Sequence, residues 1–275
     1  MTSEQVADRV SAAIWNLHPE RAVAAGQHTY DGQVPDLSAT AIEAGLERLA
    51  RLRGQLTRDG PAPGQEADAA VLLAAVDRER FDGEVVRRWQ RDPSWYLGCL
   101  DVSAYLEGDY ASAGLRLERA AGVLEEAGSV LGDARRNLAP AIPRAWVEGG
   151  AARARALAER VVRQAEWAAG APAAAAEAAW LRAAASSAGA ELEAFAVWLE
   201  GERWPAAGDD FALGPGGLEE WLRAGEAVGA RRILVGIKDK HPKLIERLRD
   251  ELPRTVEVRP LREAEVGEAD HASRP

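Results

Sequence analysis

Apolar residues recur at steps of three and four along most of this chain, the spacing that gathers them on one face of a helix. Val6, Val10, Ala13, Ile14 and Leu17 form the first stripe, which Pro19 ends. A short helical stretch over 21–25 stops at Gly26, and a polar loop with Asp-Gly and Pro-Asp turn pairs covers 27–36. Thr40 and Glu43 have the spacing of a capping box and predict a helix whose face is Ile42, Leu46, Leu49, Leu52 and Leu56. After a loop rich in Gly and Pro, residues 67–88 are predicted helical with Val71, Leu72, Val76 and Val85 inward. Asp92-Pro93 interrupts the chain. Helices are then predicted over 95–106 and 114–131, with a break from Pro140 to Pro143. Residues 144–168 and 172–201 are rich in Ala and predict two closely packed helices, the second with Phe195, Trp198 and Leu199 as its bulky face.

Beyond Ala230 the period changes. Ile233, Leu234, Val235 and Ile237 form a short buried-strand pattern, and residues 255–259 alternate as a second strand. Between them Pro242 opens a predicted helix with Leu244, Ile245, Leu248 and Leu252 on its face. The spacing suffices for a parallel crossover, which takes about a dozen residues. Two strands alone are marginal in water, so this unit is expected to lean on the helical body or to self-associate with another copy. The expected fold is therefore mainly α. It comprises a multi-helix domain over 1–230, a small C-terminal β-α-β unit over 231–262, and a flexible acidic tail over 263–275.

Charge supports the boundary. The 275 residues carry a net charge of −10, yet the only lysines, Lys238, Lys240 and Lys243, fall within one short basic stretch. A solvated face is the expectation for that stretch. The overall acidic balance argues against nucleic acid as a partner, and no apolar run nears the ~20 residues that span a bilayer. The polar N-terminal stretch lacks the order of a signal peptide, which makes the cytoplasm the expected compartment. A single cysteine, Cys99, excludes an intrachain disulfide and a multi-cysteine zinc site, and its apolar neighbours predict a buried, inert thiol. The nine tryptophans are expected to pack between helices.

Chemistry is sparse. None of the four histidines, His18, His28, His241 and His271, pairs with another at a spacing of four, and there is no His-Glu-x-x-His. Nucleophile-elbow, Walker and dinucleotide signatures are also missing. Gly214-Pro215-Gly216-Gly217 reads as a turn, because Pro215 lacks the amide a phosphate cradle would use. No catalytic residue, metal ligand or cofactor is assigned. The candidate ligand-binding site is the loop at 28–36, where His28, Tyr30, Asp31 and Asp36 gather an imidazole, a phenol and two carboxylates. The competing reading is that Asp31 and Asp36 fix turns through backbone amides while His28 meets a nearby carbonyl.

The same loop carries a resemblance. The run from Pro19 to Ser38, with Gly26-Gln27-His28-Thr29-Tyr30-Asp31 and Pro35-Asp36-Leu37-Ser38, resembles the opening of the bacterial domain-of-unknown-function family 885. Three later stretches fit in order: Arg91-Asp92-Pro93-Ser94-Trp95-Tyr96, Pro143-Arg144-Ala145-Trp146-Val147-Glu148, and Asp209-Asp210-Phe211-Ala212-Leu213-Gly214. Together they span roughly residues 10–225, the first half of a family member. The resemblance implies a mainly helical protein related to gluzincin zinc peptidases, whose HExxH motif belongs to a second half that has no counterpart here. It therefore carries over no catalytic residue, only a helical half that helps wall a substrate cleft, with His28, Tyr30 and Asp31 as motif positions. The expected function is a non-catalytic binding or scaffold protein for a peptide-like or small ligand, or for a protein partner. The alternative is one half of a split or truncated metallopeptidase. A third possibility is a metal-independent hydrolase using His28 with Asp31 or Asp36.

Overall fold

A computed structural model of the protein describes residues 3–60, 64–168 and 174–208. Among these the fold is mainly α, as the hydrophobic period predicts. The predicted boundary near Ala230, the β-α-β unit at 231–262, the tail at 263–275 and the Gly214 turn all lie outside the described residues.

Helix α1 (Ser3–Leu17) is followed at once by α2 (Pro19–Ala24), with Pro19 at a first-turn position that needs no amide. Helix α3 (Ala39–Asp59) and α4 (Glu66–Arg80) pack with α1 around their own small core of Val6, Val10, Ala13, Leu49, Leu52 and Val76. Two expectations fail here. The cap of α3 is Ser38, whose hydroxyl accepts from the Ala41 amide at 3.3 Å, rather than Thr40. Ser38 has the extended backbone a capping residue needs, and α3 is already helical at Ala39. Val71 is 68% exposed instead of inward. It lies off the stripe that Leu72 and Val76 share, and Val85 is only half-buried.

Residues 67–88 do not form one helix either. After α4 the chain widens into a π-turn over Phe81–Val85 and stops at Arg87, which takes a left-handed φ of 53°. Gly83 makes this possible, because a Cβ there would stand 2.5 Å from a Leu46 methyl. The Gly83 carbonyl then accepts from the Trp89 indole at 3.1 Å.

Short elements follow: α5 (Arg88–Arg91), α6 (Ser94–Leu97) and α7 (Ser103–Glu107). The expected helix over 95–106 is thus broken, with a 3-10 turn at Gly98–Leu100 and the Asp101 carboxylate accepting from the Ser103 amide at 3.1 Å. The stretch at 114–131 is likewise two helices, α8 (Ala113–Glu125) and α9 (Ala127–Asn137), meeting at Glu126.

The predicted Ala-rich pair is present as α10 (Arg144–Ala168) and α11 (Ala175–Trp198). The two run in opposite directions, since Arg155 pairs with Glu200 while Val162 touches Gly189. Ala151, Ala154 and Ala158 on α10 and Ala184, Ala185 and Ala188 on α11 are all buried. Small side chains let the axes approach, and Leu181, Leu192 and Phe195 fill the space left over. This larger core also takes in α8, α9 and Tyr96, whose hydroxyl donates to the Trp89 carbonyl. At the start of α10, Gly208 bridges back to Pro143, and its carbonyl accepts from the Arg144 amide at 2.7 Å.

Candidate functional site

The loop at 27–36 is built by backbone turns. Gly26, at φ 80°, ends α2, and His28–Tyr30 make one 3-10 turn. Gly32 (φ 76°) then turns the chain, and its amide donates to the Tyr105 hydroxyl at 3.0 Å. A Cβ on Gly32 would lie 2.8 Å from the Arg119 side chain, so both its conformation and its surroundings call for glycine.

Of the four predicted residues, the structure brings two together. His28 Nδ1 lies 3.2 Å from Asp31 Oδ1, and the imidazole stacks on Tyr110 with centroids 3.5 Å apart and planes 11° from parallel. The Asp31 side chain is 10% exposed and that of His28 38%. Such a pair has the form of a histidine oriented by a carboxylate. The other ring nitrogen has no hydrogen-bond partner among the described residues. The Tyr110 hydroxyl is buried beside Asp31 without a well-formed hydrogen bond, and burial together with that carboxylate pushes the phenol well above its ordinary pKa. The other two predicted residues are placed elsewhere. Tyr30 packs edge-on against Trp15, with centroids 5.8 Å apart. Asp36 accepts from the Ser38 amide at 2.9 Å, which holds its carboxyl below the usual range and spends it on the entry to α3.

A second polar cluster lies where sequence reasoning did not look. His18, between α1 and α2, is 7% exposed. Its Nε2 is 3.1 Å from Glu79 on α4 and its Nδ1 3.3 Å from Glu20. Arg21 Nη1 holds the other Glu79 oxygen at 2.5 Å. Burial alone would lower the His18 pKa, but the hydrogen bonds to Glu20 and then Glu79 outweigh it, and the net shift is upward. For Glu79 burial would raise the pKa, and the bonds to His18 and Arg21 bring it down instead. One signal pointed here: Glu79 continues the Leu72 and Val76 spacing, placing a carboxylate on a buried stripe.

Two of the family-like stretches meet at this cluster. Trp95 stands edge-on to the His18 ring at 5.9 Å, so the segments beginning at Pro19 and Arg91 meet there. Asp92, 7% exposed, accepts from Arg88 at 2.6 Å and from the Ser94 amide at 2.9 Å, starting α6. Cys99 is buried, with its thiol pushed far up by burial. Most described tryptophans pack as expected, but Trp167 is 74% exposed. A shallow groove of about 540 Å³ lies elsewhere, between α10 and α11 at Ala158, Val162, Gly189 and Ala190. Among the described residues no three His, Cys, Asp or Glu side chains are grouped to hold a metal ion, and no helix is long and apolar enough to cross a membrane. His241, His271 and the stretch from Asp209 to Gly214 lie outside the described residues.

These features define a mainly helical protein in which two of the family-like stretches meet beside buried polar side chains. The chain belongs to the family described as bacterial protein of unknown function (DUF885), whose model matches residues 19–231. A solved structure, described as "a putative lipoprotein of unknown function" from Shewanella oneidensis, shares the fold at a TM-score of 0.61 and 17% identity. That match covers 73% of this chain and 37% of the other, so this chain spans well under half of that protein's length. No curated protein matches the chain significantly.

Proposed function

We propose that this chain is a non-catalytic binding or scaffold protein, using the helical half of a metallopeptidase-like family to hold a peptide-like or small ligand, or a partner protein. The observation that carries the reading is the stacked His28–Tyr110 pair. Most polar groups of the loop are spent on turns, whereas one nitrogen of the half-exposed His28 ring has no partner among the described residues. A ring nitrogen held in place by a carboxylate on one side and a stacked phenol beneath it offers a fixed polar contact to an amide-bearing ligand. The test is a titration of the protein with a set of tripeptides, followed by amide chemical shifts. Saturable shifts at His28, Asp31 and Tyr110 are expected, with affinity falling at least tenfold in His28→Ala and unchanged in Asp36→Asn. Flat shifts up to millimolar peptide, or equal affinity in His28→Ala, would sink the reading.

A second reading is favoured by the length of the matched solved structure, most of which lies outside the shared helical part. In it, this helical unit is the non-catalytic half of a split or truncated metallopeptidase and works with an HExxH-bearing partner chain. Co-purification of such a chain at one equivalent, with peptidase activity appearing only in the complex, would establish it. One equivalent of zinc on this chain alone would contradict both readings.

A further inference from the structure

His18 sits at a seam. On one side α1, α3 and α4 enclose the small core around Leu49 and Val76, and on the other lies the larger core that begins with Val23 on α2 and Tyr96 on α6. At the seam both ring nitrogens face carboxylates, Nε2 toward Glu79 at 3.1 Å and Nδ1 toward Glu20 at 3.3 Å. Only an imidazolium can donate from both nitrogens. A neutral ring would turn a lone pair toward one buried carboxylate and leave that oxygen without a donor, a costly arrangement away from water.

We propose that His18 is a protonation-controlled clasp between the α1–α3–α4 layer and the rest of the helical unit, fastened as the imidazolium and loosened when the ring is neutral. The charged groups around it define its behaviour. From α2, Glu20 accepts from the ring, and Arg21 opposes the positive charge while pairing with Glu79. From α4 comes Glu79 itself, with Asp82 beyond it in the π-turn, facing Arg88 and Arg78. The α6 side contributes Trp95, which has no charge, and the buried Cys99 thiol near Glu20. Arg21 keeps its bond to Glu79 in either state, so losing the proton loosens the seam without dissolving it. The second Glu20 oxygen is already buried with no partner among the described residues, so this corner has no spare donor to replace the ring. The His18 pKa is held above 6.5, which places the transition on the alkaline side of that value.

The test is amide hydrogen exchange of the full chain at pH 6 and pH 9, corrected for intrinsic rates, on wild type and His18→Gln. In the wild type, protection over residues 76–85 and in α2 is expected to fall at least tenfold at the higher pH, while the centre of α10 stays unchanged. His18→Gln is expected to show the weakened protection at both pH values. Protection independent of pH in the wild type, or an equal fall in His18→Gln, overturns the clasp. Should His18→Gln not fold, the wild-type ring decides by nitrogen-detected NMR. Two protonated nitrogens at pH 6 support the proposal, and a neutral ring at pH 6 overturns it.

Discussion

Two glycines with similar backbones make opposite demands on their neighbours. Gly26 and Gly32 both have φ near 80°, a region that costs an L-residue roughly 1–2 kcal/mol. A Cβ on Gly26 would meet open space, whereas one on Gly32 would press on Arg119. Gly26→Ala is therefore expected to lose only the conformational term and Gly32→Ala more, as read from urea midpoints. His18 and Glu79 make a separate prediction about pH. The folded His18 pKa lies above 6.5, so its stabilisation is complete below pH 6.5 and fades as pH climbs through the folded value. The folded Glu79 pKa lies below 4.5, so its contribution is complete above pH 4.5 and fades as pH drops through that lower value. Their joint contribution is greatest between these limits. The stability difference between wild type and His18→Gln, measured by denaturant unfolding from pH 3 to 9, should peak there. A difference that does not vary with pH would contradict the assignment.

Helix starts are the level at which a short pattern misleads most easily. Ser38→Ala should cost about 1 kcal/mol through the lost Ala41 bond, and Thr40→Ala much less, by thermal or urea unfolding. The sequence offered two hydroxyls two residues apart, and the capping-box spacing favoured the wrong one. What decides is the turn before it, where Asp36 accepts from the Ser38 amide and sets Ser38 extended. Long, strongly periodic elements were legible: α10 runs over the residues that propensity marks, and α1 buries Val10 and Ala13 as its stripe requires. The π-turn at Phe81–Val85 was not, because it depends on Gly83 meeting Leu46 from another helix. In the candidate loop the proximity of His28 and Asp31 could be read from a spacing of three. The stacking partner Tyr110 could not, since it arrives from a distant turn. The His18 cluster needed Glu79, which only the packing of α4 against the α1–α2 corner supplies.

Across the whole helical unit, two cores joined at a seam imply uneven cooperativity. Leu49 and Leu192 are both fully buried, one in each core, and either Leu→Ala change should cost about 2–5 kcal/mol. Their local effects should differ. Leu49→Ala is expected to raise exchange in α1, α3 and α4 first, and Leu192→Ala in α8, α10 and α11, by residue-resolved hydrogen exchange. Identical patterns would mean that the two cores melt as one. The buried Cys99 offers an independent view of the same events. It is the only sulfhydryl in the sequence and sits on the larger-core side, 8% exposed. A maleimide pulse therefore modifies each molecule once, and only after the wall around that side chain has parted, which turns a single residue into a clock for how often this half of the protein breathes.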